Sequence, residues 1–123
     1  MKHLTETWKK IEEITTRDTR YKAHAYSFVM AALEHAMSRL PQARHVGGRE
    51  LLAGIRETAL EQFGPMAKEV FNFWGVYATE DFGNIVFNLV ETGLLSKTDS
   101  DSIDDFIDIY DFEMVFEREY FDS

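Results

Sequence analysis

The fold is decided by residues 49–93, RELLAGIRETALEQFGPMAKEVFNFWGVYATEDFGNIVFNLVETG. Large apolar residues recur there every three or four positions, the spacing of one face of an α-helix. Gly64, Gly75 and Gly93 each follow an apolar stripe and suit a helix end, while Pro65 suits the first position of a new helix. The stretch therefore predicts three successive helices, over 49–63, 65–74 and 80–92.

The last of these helices carries the clearest start signal. Thr79 is predicted to be its N-cap, and Glu80 and Asp81 would complement the helix dipole in the first turn. The stripes of the chain predict a shared core, formed by Leu33, Leu52, Ile55, Phe63, Phe82, Ile85, Val86 and Leu89.

Two further helices are predicted upstream. Residues 4–16 carry apolar side chains three or four positions apart, and a longer stripe runs from Tyr26 to Leu40 before Pro41 stops it. With the three helices above, these give a mostly α fold of about five helices. The 123 residues fit a single domain, 1–123, made of an N-terminal helix (1–20), a helical core (21–97) and a C-terminal segment (98–123).

The segment after Gly93 allows two interpretations. Ser102 followed by Asp105 resembles a helix-capping signal, and Asp111 is placed to cap a last helical turn. Residues 105–110 also alternate well enough to pair as a strand with residues 94–97. The second interpretation gives a small C-terminal β-hairpin and a winged-helix-like fold; residues 94–110 are left open between hairpin and helix.

Composition excludes several classes of protein. The chain has no cysteine, so disulfides and thiolate metal sites are excluded, and it has no motif of metal-ligand, nucleotide or hydrolase type. No cofactor or metal is therefore expected, and no catalytic residue is assigned. The first residues lack the apolar stretch of a signal peptide, and no apolar run is long enough to cross a bilayer. We expect a cytoplasmic protein.

The net charge of −9 lies entirely in the C-terminal segment. Residues 1–97 carry twelve acidic and twelve basic side chains, whereas residues 98–123 carry ten acidic side chains and Arg118 alone. Helix 80–92 has no basic residue, and its polar positions, expected to be exposed, are Glu80, Asp81, Asn84, Asn88 and Glu91. Such a surface repels phosphate backbones and anionic lipid, so neither nucleic acid nor membrane is an expected partner.

Much of the chain resembles a known family. The residues that carry the resemblance are AYSFVMAALEHA (25–36), FGPMA (63–67), WGV (74–76), TEDFG (79–83), IVFNLVE (85–91), GLL (93–95), KT (97–98) and YDF (110–112). They look like a family of uncharacterised bacterial proteins known mainly from planctomycetes and verrucomicrobia, over about residues 20–116. Gly47 stands where the family pattern has Ser, which removes a side-chain cap. The resemblance implies no activity, cofactor or ligand.

One loop has the composition of an anion site. Its residues, at the start of helix 49–63, are Arg44, His45, Gly47, Gly48 and Arg49. Amide groups at a helix start and nearby positive side chains attract anions, although a capped turn between two helices explains the same residues. A small ligand-binding domain or enzyme using this loop is the alternative function.

The C-terminal segment supplies the leading hypothesis. It combines its carboxylates with more large apolar residues than a solubilising tail needs, and its candidate partner contacts are Tyr110, Phe112, Phe116, Tyr120 and Phe121. This favours a non-catalytic interaction module with a basic protein partner; a homo-oligomer built there would bring like charges together and is not favoured. A concave pocket at His45 with a carboxylate within hydrogen-bond reach would favour the alternative, and a flat apolar patch without a pocket would favour the interaction module.

Overall fold

The computed structural model describes residues 2–42, 44–96 and 102–118 and contains five α-helices in those ranges. They are α1 (Lys2–Arg17), α2 (Ala23–Ser38), α3 (Gly48–Phe63), α4 (Ala67–Phe73) and α5 (Thr79–Glu91). A 3-10 turn, Gly64–Met66, joins α3 to α4, and two short helical turns follow α5: a 3-10 turn, Ile103–Phe106, and a π-type turn, Met114–Arg118. The prediction of a mostly helical fold with five helices is confirmed.

The C-terminal β-hairpin is not supported, because residues 102–118 form turns and the described part of the chain has no strand. The Ser102 hydroxyl accepts the Asp104 N–H at 3.2 Å, and the Asp105 carboxylate accepts the Ser102 N–H at 3.2 Å. These local bonds close a helical turn where the alternation had suggested a strand. The described residues therefore contain no β-hairpin that could serve as the wing of a winged-helix-like fold. Residues 97–101 lie outside the described residues.

α2 and α3 make the closest helix pair. A Cβ at Gly54 of α3 would lie 3.2 Å from the Ala36 Cβ and 3.3 Å from the Ala32 carbonyl oxygen, both on α2. Small residues at the crossing let the two backbones approach, and Leu52 and Ile55 then enter the core beside it, where both are fully buried.

Phe71 of α4 forms the centre of the core and is fully buried. Its ring centroid lies 5.1–5.9 Å from the centroids of five other rings, those of Phe28, Trp74, Phe82, Phe112 and Phe116. These are favourable distances for tilted and edge-to-face aromatic pairs. The cluster joins α2, α4, α5 and the C-terminal residues into one core.

The predicted core is confirmed, with three members at its edge. Leu52, Ile55, Phe82, Ile85 and Leu89 are fully buried. Leu33, Phe63 and Val86 are half-buried and pack against the others. Two of these three, Leu33 and Val86, line a pocket described below.

The turn after α4 lies directly against the connection between α1 and α2. Gly75 has a φ of 89°, and a Cβ there would lie 2.1 Å from the Arg20 carbonyl oxygen. The Lys22 N–H donates to the Trp74 carbonyl oxygen at 3.0 Å beside this contact. Only glycine combines this φ with so close an approach of two backbones.

The polar face of α5 is not the exposed surface that the sequence indicates. The Tyr21 hydroxyl donates to the Asp81 carboxylate at 2.6 Å and accepts from the Asn84 amide at 3.0 Å. The Asn88 amide donates to the Asp18 carboxylate at 2.9 Å and to the Tyr26 hydroxyl at 3.0 Å. These contacts, which we call the α5 polar network, hold the α1–α2 connection on α5. They use the three side chains Asp81, Asn84 and Asn88, which are half-buried.

α5 also begins differently from the prediction. Thr79 is the first residue of the helix and is fully buried, and Ala78 precedes it in extended conformation. The Asp81 carboxylate accepts the N–H groups of Tyr77 at 2.8 Å and Ala78 at 3.2 Å, so Asp81 caps the helix. The Thr79 hydroxyl is thereby available to the C-terminal segment.

Candidate ligand pocket

A pocket of about 580 Å³ opens between α2, α3 and α5. Its lining is mostly apolar, with the loop before α3 on one side. The lining residues are Leu33, Met37, Arg44, His45, Val46, Gly47, Gly48, Leu51, Val86, Phe87, Val90, Leu94, Leu95, Ser96 and Phe106. A volume of this size lies within the range of roughly 300–1,000 Å³ that is typical of small-molecule sites.

Phe106 forms one wall of the pocket and is held by two glycines. A Cβ at Gly48 would lie 3.0 Å from the Phe106 ring, and a Cβ at Gly83 would lie 2.9 Å from the Phe106 Cβ. The Phe106 carbonyl oxygen accepts the Thr79 hydroxyl at 2.6 Å, and the same hydroxyl accepts the Ile109 N–H at 3.2 Å. The wall is therefore fixed by buried contacts to α3 and α5.

Arg44 and Glu50 form an ion pair in the loop that leads into α3. Arg44 Nη1 donates to Glu50 Oε1 at 2.8 Å and Nη2 donates to Oε2 at 2.6 Å, while Nη1 also donates to the His45 carbonyl oxygen at 3.0 Å. The Gly47 N–H donates to Glu50 Oε1 at 3.3 Å. The hydrogen bonds from Arg44, and then that from Gly47, lower the pKa of Glu50 to about 2. Glu50 is thus a carboxylate at neutral pH.

The loop predicted to attract an anion therefore holds one from the chain itself. Glu50 supplies the negative charge at the start of α3, and its bond to the Gly47 N–H replaces the cap that Gly47 cannot provide. Of the five residues predicted for an anion site, Arg44, His45, Gly47 and Gly48 line the pocket. Arg49 is exposed and is not among the lining residues.

The described residues that were predicted to contact a partner do not form an exposed surface. Phe112 and Phe116 are buried in the aromatic core, and Tyr110 packs against it with its hydroxyl donating to the Leu52 carbonyl oxygen at 2.7 Å. A partner would reach Phe112 and Phe116 only if the core opened. Tyr120 and Phe121 lie outside the described residues. The apolar side chains that 102–118 exposes are instead Ile103, Ile107 and Met114.

Most of the pocket's apolar lining was not assigned to a site from the sequence. Met37 and Phe87 are examples: each continues a helical stripe of its own element. The signal present in the sequence was a surplus of large apolar residues on α2 and α5. It did not indicate that the surplus of the two helices faces one opening.

In residues 2–42, 44–96 and 102–118 no group of three or more His, Asp or Glu side chains is placed to hold a metal ion. Over the same ranges no helix has the length and apolar character needed to span a bilayer. Among the residues that the structure describes, the two most exposed aromatic side chains are Phe73 and Tyr77, at 71% and 68%, beside the turn after α4.

Comparison of the chain with models of protein families, with curated proteins and with solved structures gave no match. The resemblance to a bacterial family therefore stays a prediction from the sequence. The pocket and its loop are the basis for a functional proposal.

Proposed function

We propose that this protein is a non-catalytic binding module that takes a small, largely apolar molecule into the pocket between α2, α3 and α5. The observation that carries the proposal is the pocket itself, about 580 Å³ with a mostly apolar lining. Apolar walls with a few polar groups at one side are the usual composition of a small-molecule site, because burial of the ligand drives binding and the polar groups orient it.

The polar side chains among the described lining residues are Arg44, His45 and Ser96. Arg44 is engaged by Glu50, so the Glu50 carboxylate is already paired and its pKa is lowered. A general base needs a pKa near the working pH, so Glu50 is not suited to that role.

A second candidate function is contact with a basic protein partner. It is favoured by the surface of the C-terminal segment, where Ile103, Ile107 and Met114 are 38%, 42% and 44% exposed. The exposed carboxylates of Asp104 and Asp108 lie beside the two isoleucines in the chain. An apolar centre with an acidic rim suits a partner with an apolar patch and a basic edge.

The binding proposal is tested with the neutral fluorescent probe N-phenyl-1-naphthylamine. We expect saturable binding to the wild-type protein and a loss of affinity of about tenfold or more in Val90→Trp, which fills the pocket. Ala53→Trp adds the same side chain at an exposed position of α3 and serves as the control. Circular dichroism establishes that both variants are folded. No saturable binding, or equal affinities in the wild type and Val90→Trp, would overturn the proposal.

A further inference from the structure

We propose that the molecule taken up by this pocket carries a carboxylate, bound by the Arg44 guanidinium. This inference rests on the proposed function, since it names the class of ligand for the same pocket. Arg44 lines the pocket together with the apolar residues of α2 and α5. The ligand is accordingly an amphipathic organic acid with its carboxylate at the loop and its apolar part between the helices.

Arg44 retains hydrogen-bonding capacity for such a ligand. Among the described residues, its bonds to Glu50 and to the His45 carbonyl oxygen use three guanidinium N–H groups. A guanidinium has five, and the two that remain are Nε–H and the second N–H of Nη2. These two point in the same direction and form the fork that binds a carboxylate through two parallel hydrogen bonds.

The bonds that Arg44 already makes hold the fork in place. Glu50 binds the Nη1–Nη2 edge through two bonds of 2.8 and 2.6 Å, and the His45 carbonyl oxygen binds Nη1 from the backbone. Three hydrogen bonds therefore orient the half-exposed guanidinium before a ligand arrives. Since less side-chain freedom is lost on binding, a preorganised fork gives higher affinity than a mobile one.

The charges around the loop make the Arg44 fork itself, rather than a net positive field, the group that binds the ligand's carboxylate. The loop and the first turn of α3 carry Arg44 and Arg49, and Glu50 and Asp105 balance them. Asp105 lies against the loop, since a Cβ at Gly48 would lie 3.0 Å from the Asp105 Cβ. The amphipathic acid is thus bound by the Arg44 fork at one end of an otherwise apolar pocket.

The test compares two ligands that differ only in the head group, decanoic acid and 1-decanol, by displacement of N-phenyl-1-naphthylamine at neutral pH. We expect the wild-type protein to bind decanoate about tenfold more tightly than decanol, the range of a charge-assisted hydrogen bond. Arg44→Gln is expected to abolish the preference, and saturable binding of N-phenyl-1-naphthylamine to this variant shows that the pocket is intact. Arg44→Lys keeps the charge without the fork and is expected to retain part of the preference. Arg49→Gln is the matched control and is expected to keep most of it.

Each outcome decides the inference. Equal affinities for decanoate and decanol in the wild type would overturn the carboxylate and leave the apolar pocket standing. A preference that survives Arg44→Gln, or that is lost equally in Arg49→Gln, would overturn the role of Arg44. Absence of binding by both ligands and by the naphthylamine would overturn the proposed function together with the inference.

Discussion

Gly83 lies at a close approach between α5 and the C-terminal segment. A Cβ there would lie 2.6 Å from the Ile103 Cδ1 and 2.9 Å from the Phe106 Cβ, so a side chain at 83 must displace the turn Ile103–Phe106. We expect Gly83→Val to lower the free energy of unfolding by about 1–3 kcal/mol, measured by urea denaturation. Ala53→Val, at an exposed position of α3, is expected to cost no more than about 0.7 kcal/mol for helix propensity. Equal losses of unfolding free energy in the two variants would show that the contact at Gly83 does not contribute to stability.

Thr79 holds the same segment through one hydroxyl. Thr79→Val keeps the shape of the side chain but leaves the Phe106 carbonyl and the Ile109 N–H without their bonds of 2.6 and 3.2 Å. We expect a loss of about 1–3 kcal/mol, because buried polar groups would remain unsatisfied. Thr16→Val is the control: its hydroxyl bonds the Glu12 carbonyl on an exposed face of α1, and little change is expected. A smaller loss in Thr79→Val than in Thr16→Val would contradict this reading of the hydroxyl.

At the scale of the element, the α5 polar network predicts a dependence of stability on pH. The hydrogen bonds from Arg20, and a further bond from Asn88, hold the pKa of Asp18 well below its usual range. A carboxylate whose pKa is lower in the folded chain stabilises the fold above its unfolded pKa of about 3.9, and this contribution is lost as the pH falls below that value.

The variant Asp18→Asn measures that contribution. We expect it to be less stable than the wild type at pH 7, and the difference between the two should shrink as the pH is lowered from about 5 toward 2. Arg20→Gln removes the main cause of the shift and should behave in the same way. The measurement is urea denaturation across this pH range. A difference between wild type and Asp18→Asn that stays constant with pH would exclude the linkage.

The helices could be predicted from the sequence because the apolar stripes of α2 to α5 each end at a glycine or proline and that of α1 ends in a polar stretch. The bounds of α3 and α5 differ from the predicted bounds by no more than one residue at either end. The hairpin, one of two interpretations that the sequence left open, is not supported. Residues 105–110 satisfy both patterns, and two contacts distant in sequence decide between them. The Thr79 hydroxyl forms hydrogen bonds with the Phe106 carbonyl and the Ile109 N–H. In a hairpin these backbone groups would bond to the neighbouring strand.

The pocket and the polar network depend on contacts that no local pattern contains. Asn88 and Asp18 are 70 positions apart, and polar residues on a helix read as solvent-exposed unless their distant partners are known. The loop that begins at Arg44 was identified from its own composition. The opposite wall of the pocket is formed by α2 and α5. Its position depends on the angles at which the helices cross, and these angles cannot be predicted from the sequence.

The whole molecule has one core, and residues distant in the chain share it. Phe116 is fully buried and its ring lies 5.4 Å from that of Phe71, which in turn contacts Trp74. We expect Phe116→Ala to lower the free energy of unfolding by about 3–5 kcal/mol, in a single transition followed by tryptophan fluorescence. Met114→Ala, two positions away and 44% exposed, is expected to change it by about 0.5 kcal/mol or less. A separate early transition in Phe116→Ala would show that the C-terminal segment is not part of one cooperative unit.

The contact between Gly75 and the Arg20 carbonyl constrains the sequence of any protein that shares this fold. Any chain that keeps this approach of two backbones must keep glycine at the first position, since a Cβ would lie 2.1 Å from an oxygen atom. A second glycine eight residues later, at Gly83, is required by a different contact. Two glycines at this spacing, with threonine at the position of Thr79 between them, form a pattern set by steric exclusion and a buried hydroxyl bond. Distant relatives whose overall similarity has faded would be recognisable by that triplet.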